Sequence, residues 1–343
     1  MPPPRADRPE AARAVVTRAP TRIDFGGGWT DVPPYTVERG GCVCNVAIAR
    51  YATARLTRAR SAPRPGDAPG ASVPSPAPPR APRRRGGETA LAAAAVRRAG
   101  LRGLALEIRS DFPFSAGLGG SSAAGVAAVA ALAAWRHEHQ PPEWLAEQSR
   151  LVEVQDLGVA GGRQDHYAAA FGGALGLWFT DHVTVRRIGL SEAERRELER
   201  RCIVLYTGQS RISGDTITAV LDAYRDRVPR VVGALERMKA LAEQMIGALE
   251  RGALDELGRL VGEHWTHQRA LHPGITTARI DEIVRRAHAA GALGAKALGA
   301  SGGGCVAVIA AGDGEGAVRR ALHGLGDPLD FAIDVEGCRV LAA

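Results

Sequence analysis

The stretch Pro113 to Leu132, PFSAGLGGSSAAGVAAVAAL, constrains the fold more than any other part of the chain. Gly117, Gly119 and Gly120 form a turn, and an unbroken apolar run of thirteen residues from Ala123 to Trp135 follows it. A helix that is apolar on every side belongs inside a domain, and this run is shorter than the roughly 18 residues a membrane span requires. The turn therefore carries the chain from a strand ending near Ile108 into a core helix. Ser121 and Ser122 fall in its first turn, where unpaired N–H groups and the positive end of the helix dipole attract anions. Two readings fit these residues: a phosphate cradle, or a capped core helix behind a glycine turn. Neither a GxxxxGK[ST] loop nor a GxGxxG fingerprint is present.

With 343 residues, 45% of them hydrophobic and 24% charged, the chain has enough material for two cored domains and is not disordered or fibrous. The net charge of +7 is concentrated. Residues 1–20 carry +2 and residues 61–87 carry +4, so the remainder is close to neutral and no basic face for nucleic acid is expected. Residues 61–87 hold eight of the 21 prolines and almost no large apolar side chain, which predicts a flexible surface loop. Residues 1–13 read as a disordered N-terminus. With no charged-then-apolar leader, the expectation is a cytoplasmic protein that does not enter membranes. Five scattered cysteines without CxxC or zinc spacing predict buried, reduced thiols, with Cys42 and Cys44 on one strand face. No repeat is found, and oligomeric state is open.

From Val15 to Thr57 a Gly/Pro-rich connection with Gly26–Gly28, Pro33 and Pro34 alternates with short β-prone runs, 42–48 and 52–57 among them, and the parse is strand, loop, strand, strand. Helices are expected over 88–98, 123–135 and 143–155, strands over 174–179, 183–188 and 203–206, and long amphipathic helices over 215–290. The end of the chain reads as strand 294–298, Gly loop, strand 305–310, helix 315–325 and strand 330–335.

Three further segments carry candidate chemistry. KALGASGGGCVAVI, residues 296–309, places Gly302 and Gly303 between two strands, as a ligand loop or a long hairpin. APTRIDFGGGWTDVPPY, residues 19–35, gathers Arg22, Asp24, Trp29, Thr30 and Asp31 around three glycines. Carboxylates there can accept hydrogen bonds from sugar hydroxyls and Trp29 can stack on a pyranose, or the segment is a charged turn. EVQDLGVAGGRQDHYAAAFGG, residues 153–173, offers Glu153, and Asp165 beside a Gly-Gly pair. His264 and His267 are read as ordinary helix positions, with a shared metal or substrate contact as the alternative, and Lys296 as structural or phosphate-reaching.

Taken in this order, the four segments resemble the GHMP kinase superfamily. PTRIDFGGGWTD is similar to the sugar-binding first motif of the galactokinase-like members, GLGGSSAAG to the phosphate-binding second motif, and KALGASGGGC to the third. RIDFGGGWTDVPPY is fucokinase-like, while EHWTHQRALHPGITTARIDEI resembles the heptose 7-phosphate kinases.

The resemblance implies an α+β, two-domain fold with ATP in the interdomain cleft, the N-terminal domain covering 14–195 and the C-terminal domain 196–343. It implies transfer of the γ-phosphoryl of MgATP to a sugar hydroxyl, the anomeric one favoured, with another polyol or a non-catalytic sugar and ATP sensor as alternatives. Asp165 would then be the catalytic base with Arg22 beside it. Asp31, Trp29, Thr30 and Asp24 would face the sugar. Gly117, Leu118, Gly119, Gly120, Ser121, Ser122, Gly302 and Gly303 would line the ATP site, and Ser121 with Glu153 would hold Mg2+. His166 departs from the pattern, standing where a glutamine is common.

Overall fold

The structure, a computed structural model, describes residues 13–59, 85–113, 115–209 and 214–343. The expected disordered N-terminus and most of the expected 61–87 loop lie outside the described residues, whereas Arg85–Gly87 open a helix.

The N-terminal half runs β1 (Ala14–Gly26), α1 (Tyr35–Arg39), β2 (Gly41–Arg58), α2 (Arg85–Arg98), β3 (Leu104–Ser110), α3 (Gly120–Trp135), α4 (Pro142–Leu151), α5 (Gln164–Phe171), β4 (Ala174–Phe179) and β5 (Val183–Ile188). The C-terminal half runs α6 (Glu192–Arg201), β6 (Cys202–Tyr206), α7 (Gly214–Arg225), α8 (Pro229–Glu250), α9 (Leu254–Ala270), α10 (Ala278–Ala289), β7 (Ala292–Ala297), β8 (Cys305–Ala310), α11 (Glu315–Leu322), β9 (Asp327–Pro328) and β10 (Arg339–Ala342).

Two antiparallel sheets organise these elements. The first has the order β10-β1-β2-β4-β5, with β3 on the far half of β2; the second is β7-β8-β6-β9. The two short strands expected over 42–57 are one strand, because β2 is long enough to pair with β4 through its first half and β3 through its second. The helix expected over 143–155 ends at Leu151 and passes into a π-helical turn, Val152–Asp156. The strand expected over 330–335 is only a single bridge, Ile48 to Ile333, and the chain then returns to pair β10 with β1. β10, in the segment expected as the C-terminal domain, completes the first sheet beside β1.

Alanine and valine make α3 apolar all round, so it lies inside, between the first sheet and helices α2, α4 and α5. Its small side chains bring it close enough for Thr17 Oγ1 on β1 to donate to the Ala127 carbonyl at 2.6 Å. The opposite face of that sheet, with Ile23, Phe25, Cys42 and Cys44, packs on Leu241, Ala242, Met245 and Ile246 of α8. One continuous core therefore joins the halves, a non-directional cohesion that scales with the apolar area removed from water. All five cysteines are unpaired, four of them buried, as expected for packing thiols. Among the described residues no helix is long and apolar enough to cross a membrane.

Candidate active site

All four segments meet at Gly117. The Cys305 N–H donates to the Ala116 carbonyl at 2.7 Å, and a Cβ on Gly117 would stand 2.5 Å from the Leu298 carbonyl oxygen. The second and third motifs thus touch backbone to backbone, which only glycine permits at that distance and at φ +75°. Arg22 on β1 reaches the same point: its Nη1 donates to the Gly117 carbonyl at 2.6 Å and its backbone N–H to the Leu118 carbonyl at 3.0 Å.

The guanidinium then turns to Asp165, in the first turn of α5. Nε and Nη2 both address Oδ1, at 2.8 and 2.7 Å. Oδ2 is left beside Gly119, where a Cβ would lie 3.1 Å away. Asp165 is a quarter exposed while Arg22 is buried. The pair is a carboxylate with one oxygen anchored and one facing the space in front of α3.

Asp31 sits across from it, buried, with Oδ2 accepting the Gln164 N–H at 3.0 Å and packed where a side chain on Gly162 would be. Burial pushes its carboxyl up to about 6, against the Gln164 hydrogen bond and with a further push from Asp165 and Asp24. Its neighbours in the first motif serve the loop. Thr30 Oγ1 donates its one proton to the Gly27 carbonyl at 2.7 Å, with the Cys42 carbonyl also in range at 3.1 Å, and accepts from the Cys42 N–H, so its hydroxyl is consumed. Trp29, left-handed at φ +82° and 8% exposed, packs in the C-terminal core instead of lying open for stacking. Asp24 is also withdrawn: Lys296, fully buried on β7, donates to its carbonyl at 3.0 Å and its Oδ2 at 3.1 Å.

On the phosphate side, α3 begins after Gly119 at φ +73°, with no side-chain cap and no acidic residue in the first turn. Its first N–H groups, on Gly120, Ser121 and Ser122, have no acceptor within the helix, which leaves a ready anion site. Leu118 contributes backbone only, its side chain being core. In the third motif the Gly302 N–H donates to the Ile275 carbonyl at 2.9 Å, so that glycine shapes the loop and is not a free donor. Gly303 is likewise at positive φ.

The π-helical turn swings Glu153 under α3, a common use of such a turn at functional sites. Ser121 Oγ contacts Glu153 Oε1, Ser122 Oγ donates to Oε2 at 3.2 Å, and His166 Nε2 lies 3.0 Å from Oε2. Burial raises the Glu153 carboxyl, but the His166 bond and charge with both serines outweigh it and hold the group below the usual carboxylate range. Among the described residues no three His, Cys, Asp or Glu side chains cluster as a self-sufficient metal cage. A single carboxylate and a hydroxyl, both hard oxygen donors beside an anion site, fit Mg2+, which takes its remaining ligands from phosphates and water.

Two residues of α9, His264 and Gln268, hold the first and third motifs from the C-terminal half. His264 on α9 is buried, and its Nε2 accepts the Gly27 N–H at 2.9 Å. The ring is therefore neutral, consistent with burial driving its pKa well below the usual value. Gln268, one turn on, donates to the Gly299 carbonyl and Ser301 Oγ of the third motif, both at 3.2 Å. The available signal was that both lie on the apolar stripe of α9 with Leu257, Leu260 and Val261.

The chain matches the models for the GHMP kinase N-terminal domain over residues 88–173 and the GHMP kinase C-terminal domain over 245–327. A bifunctional fucokinase/GDP-fucose pyrophosphorylase of Arabidopsis thaliana is 27% identical over 326 residues, covering 89% of this chain but 30% of its own length. A D-glycero-alpha-D-manno-heptose 7-phosphate kinase of Campylobacter jejuni is 29% identical over 58% of this chain and 59% of its own. The chain therefore spans less than two thirds of these two relatives. A mevalonate kinase of Thermococcus onnurineus is 30% identical over 69% of each chain. The crystal structure of a D-glycero-D-manno-heptose 1-phosphate kinase from Bacteroides thetaiotaomicron superposes with a TM-score of 0.71 at 24% identity, covering 96% of this chain and 99% of that one. Two matched domain models in order, carrying the second and third motifs that meet at Gly117, place the chain in the GHMP kinase family.

Proposed function

We propose that the chain is an ATP-dependent sugar kinase of the cytoplasm, transferring the γ-phosphoryl of MgATP to the anomeric hydroxyl of a heptose 7-phosphate or fucose type of sugar. The product is a sugar 1-phosphate, the form a nucleotidyltransferase consumes. The observation that carries this reading is the Asp165–Arg22 pair, whose free carboxylate oxygen faces the open N-terminus of α3 across Gly119.

Phosphoryl transfer relies on alignment and charge neutralisation more than on covalent help. Asp165 Oδ2 accepts the proton of the attacking hydroxyl. Arg22 holds Oδ1, lowers the cost of ionising that hydroxyl and offsets charge on the group in transit. The first-turn amides of α3 receive the phosphate oxygens in a pre-oriented array. Ser121 and Glu153 would hold Mg2+, which when bound neutralises the phosphate chain. Asp31 takes hydrogen bonds from further sugar hydroxyls. A buried carboxylate that accepts from hydroxyls favours a polyhydroxylated acceptor at that position, where the carboxylate of mevalonate would be repelled.

The test is ADP release with fucose, heptose 7-phosphate, mannose, galactose and mevalonate in parallel. Turnover with fucose or heptose 7-phosphate, and an acid-labile anomeric phosphate in the product, is the expected result. Turnover with mevalonate alone would overturn the sugar assignment, and no ADP release with any acceptor would overturn the enzymatic one.

A further inference from the structure

We infer that His166 is a positioning residue that fixes which oxygen of Glu153 is presented to the metal and phosphate side; this rests on the kinase reading above. The ring is 1% exposed and sits between two elements. On one side Nδ1 lies 2.9 Å from Ser149 Oγ of α4, and on the other Nε2 lies 3.0 Å from Glu153 Oε2 in the π-helical turn. A carboxylate oxygen only accepts, so Nε2 carries the proton donated to Oε2, and the Ser149 hydroxyl, which can donate or accept, is the partner of Nδ1.

The two oxygens of Glu153 are divided by this arrangement. Oε2 takes His166 and Ser122, both buried, and is saturated from inside. Among the described residues Oε1 contacts Ser121 Oγ alone, which stands on the exposed side of α3. Without His166 the carboxylate retains its rotamer freedom and either oxygen can face outward. His166 directly follows Asp165 on α5, so the same short helix carries the proton acceptor and the anchor of the metal-facing carboxylate. Space for the anchor is provided by Gly125 in α3, where a side chain would collide with Ser149 Oγ. Glycine inside a helix costs roughly 1 kcal/mol relative to alanine, so the helix gives up stability at the one position where Ser149 must enter.

The test uses the full chain loaded with a non-hydrolysable ATP analogue, with Mn2+ affinity read by electron paramagnetic resonance, alongside kinetics and thermal unfolding. His166→Leu should weaken Mn2+ binding by about 10- to 100-fold, the range typical of lost outer-shell support, while sugar KM stays unchanged. His166→Gln, whose amide can donate to Oε2, should return Mn2+ affinity to near the wild-type value. Wild-type Mn2+ affinity in folded His166→Leu overturns the inference. Should that variant fail to fold, Ser149→Ala decides: weakened Mn2+ binding supports the role, and unchanged binding overturns it. Absence of Mn2+–nucleotide binding in the wild type would instead sink the kinase reading itself.

Discussion

Replacing Asp31 with asparagine removes a charge that the fold holds against its own stability. The carboxyl is buried and titrates at about 6, against 3.8 for the ordinary group. Below pH 4 it is protonated in the folded and unfolded chains alike. Between pH 4 and 6 the unfolded chain ionises first, so the folded chain binds more protons and stability falls as pH rises, levelling off above 6. At about 1.36 kcal/mol per pH unit, the cost is about 1 kcal/mol at pH 4.5 and about 3 kcal/mol at pH 7.5.

Asp31→Asn keeps an oxygen to accept the Gln164 N–H but cannot ionise. The stability of the variant relative to wild type should therefore rise by about 2 kcal/mol from pH 4.5 to 7.5. Urea unfolding followed by tryptophan fluorescence at four pH values measures this directly, provided the m values agree. The same variant should show a raised sugar KM at pH 7.5, because an amide is a weaker acceptor for hydroxyls than a carboxylate. A stability difference that is flat or declines with pH would refute the reasoning, since it would mean that Asp31 is not desolvated.

Other substitutions separate the remaining parts of the site. Asp165→Asn should lower kcat by about 100- to 10,000-fold while the fold and nucleotide binding by calorimetry are retained, because the amide oxygen still accepts from Arg22; unchanged turnover excludes Asp165 as the base. Gly119→Ala must adopt φ +73° and put its Cβ 3.0 Å from Asp165 Cγ, so a loss of about 1–2 kcal/mol should appear in urea unfolding together with reduced kcat. Lys296→Met leaves the Asp24 carboxylate buried without its cation and should destabilise by about 3–5 kcal/mol. Combining it with Asp24→Asn should recover much of that loss, and strict additivity of the two changes would show that they do not act as a pair.

What sequence reading reaches and what it misses divide along a physical line. Turn chemistry is local, so the glycines at 117, 119 and 120, the start of α3 and the strand before it follow from neighbouring residues. The segment carrying Asp165 is legible as an acid beside a Gly-Gly pair, but the helix α5 that holds it is not among the expected helices. The π-helical turn is the first failure, because an i, i+3, i+4 pattern continues through Val152–Asp156 and nothing in the pattern distinguishes a wider turn. Strand 330–335 fails for another reason: its apolar residues read as a strand, but only Ile333 pairs, with Ile48 in the gap on β2 between the stretch taken by β4, 41–46, and the stretch taken by β3, 52–58.

Partners across the cleft lie beyond local rules altogether, since Asp24 and Lys296 are 272 positions apart and Gly27 and His264 are 237 apart. What a sequence does expose is the anomaly each one leaves. A histidine and a glutamine on the inward stripe of α9, and a lysine inside an Ala/Gly strand, each carry a polar group to a place where going unpaired costs more than a surface position would. Such a residue is a demand for a partner, and His264 Nε2, Gln268 Nε2 and Lys296 Nζ find theirs in the first or third motif, while His264 Nδ1 and Gln268 Oε1 have none among the described residues. The loops facing the sugar and the phosphates are therefore gripped from the C-terminal half, and the geometry of Asp31, Arg22 and Gly117 belongs to the cleft as a whole and not to the N-terminal segment in which two of the motifs are written.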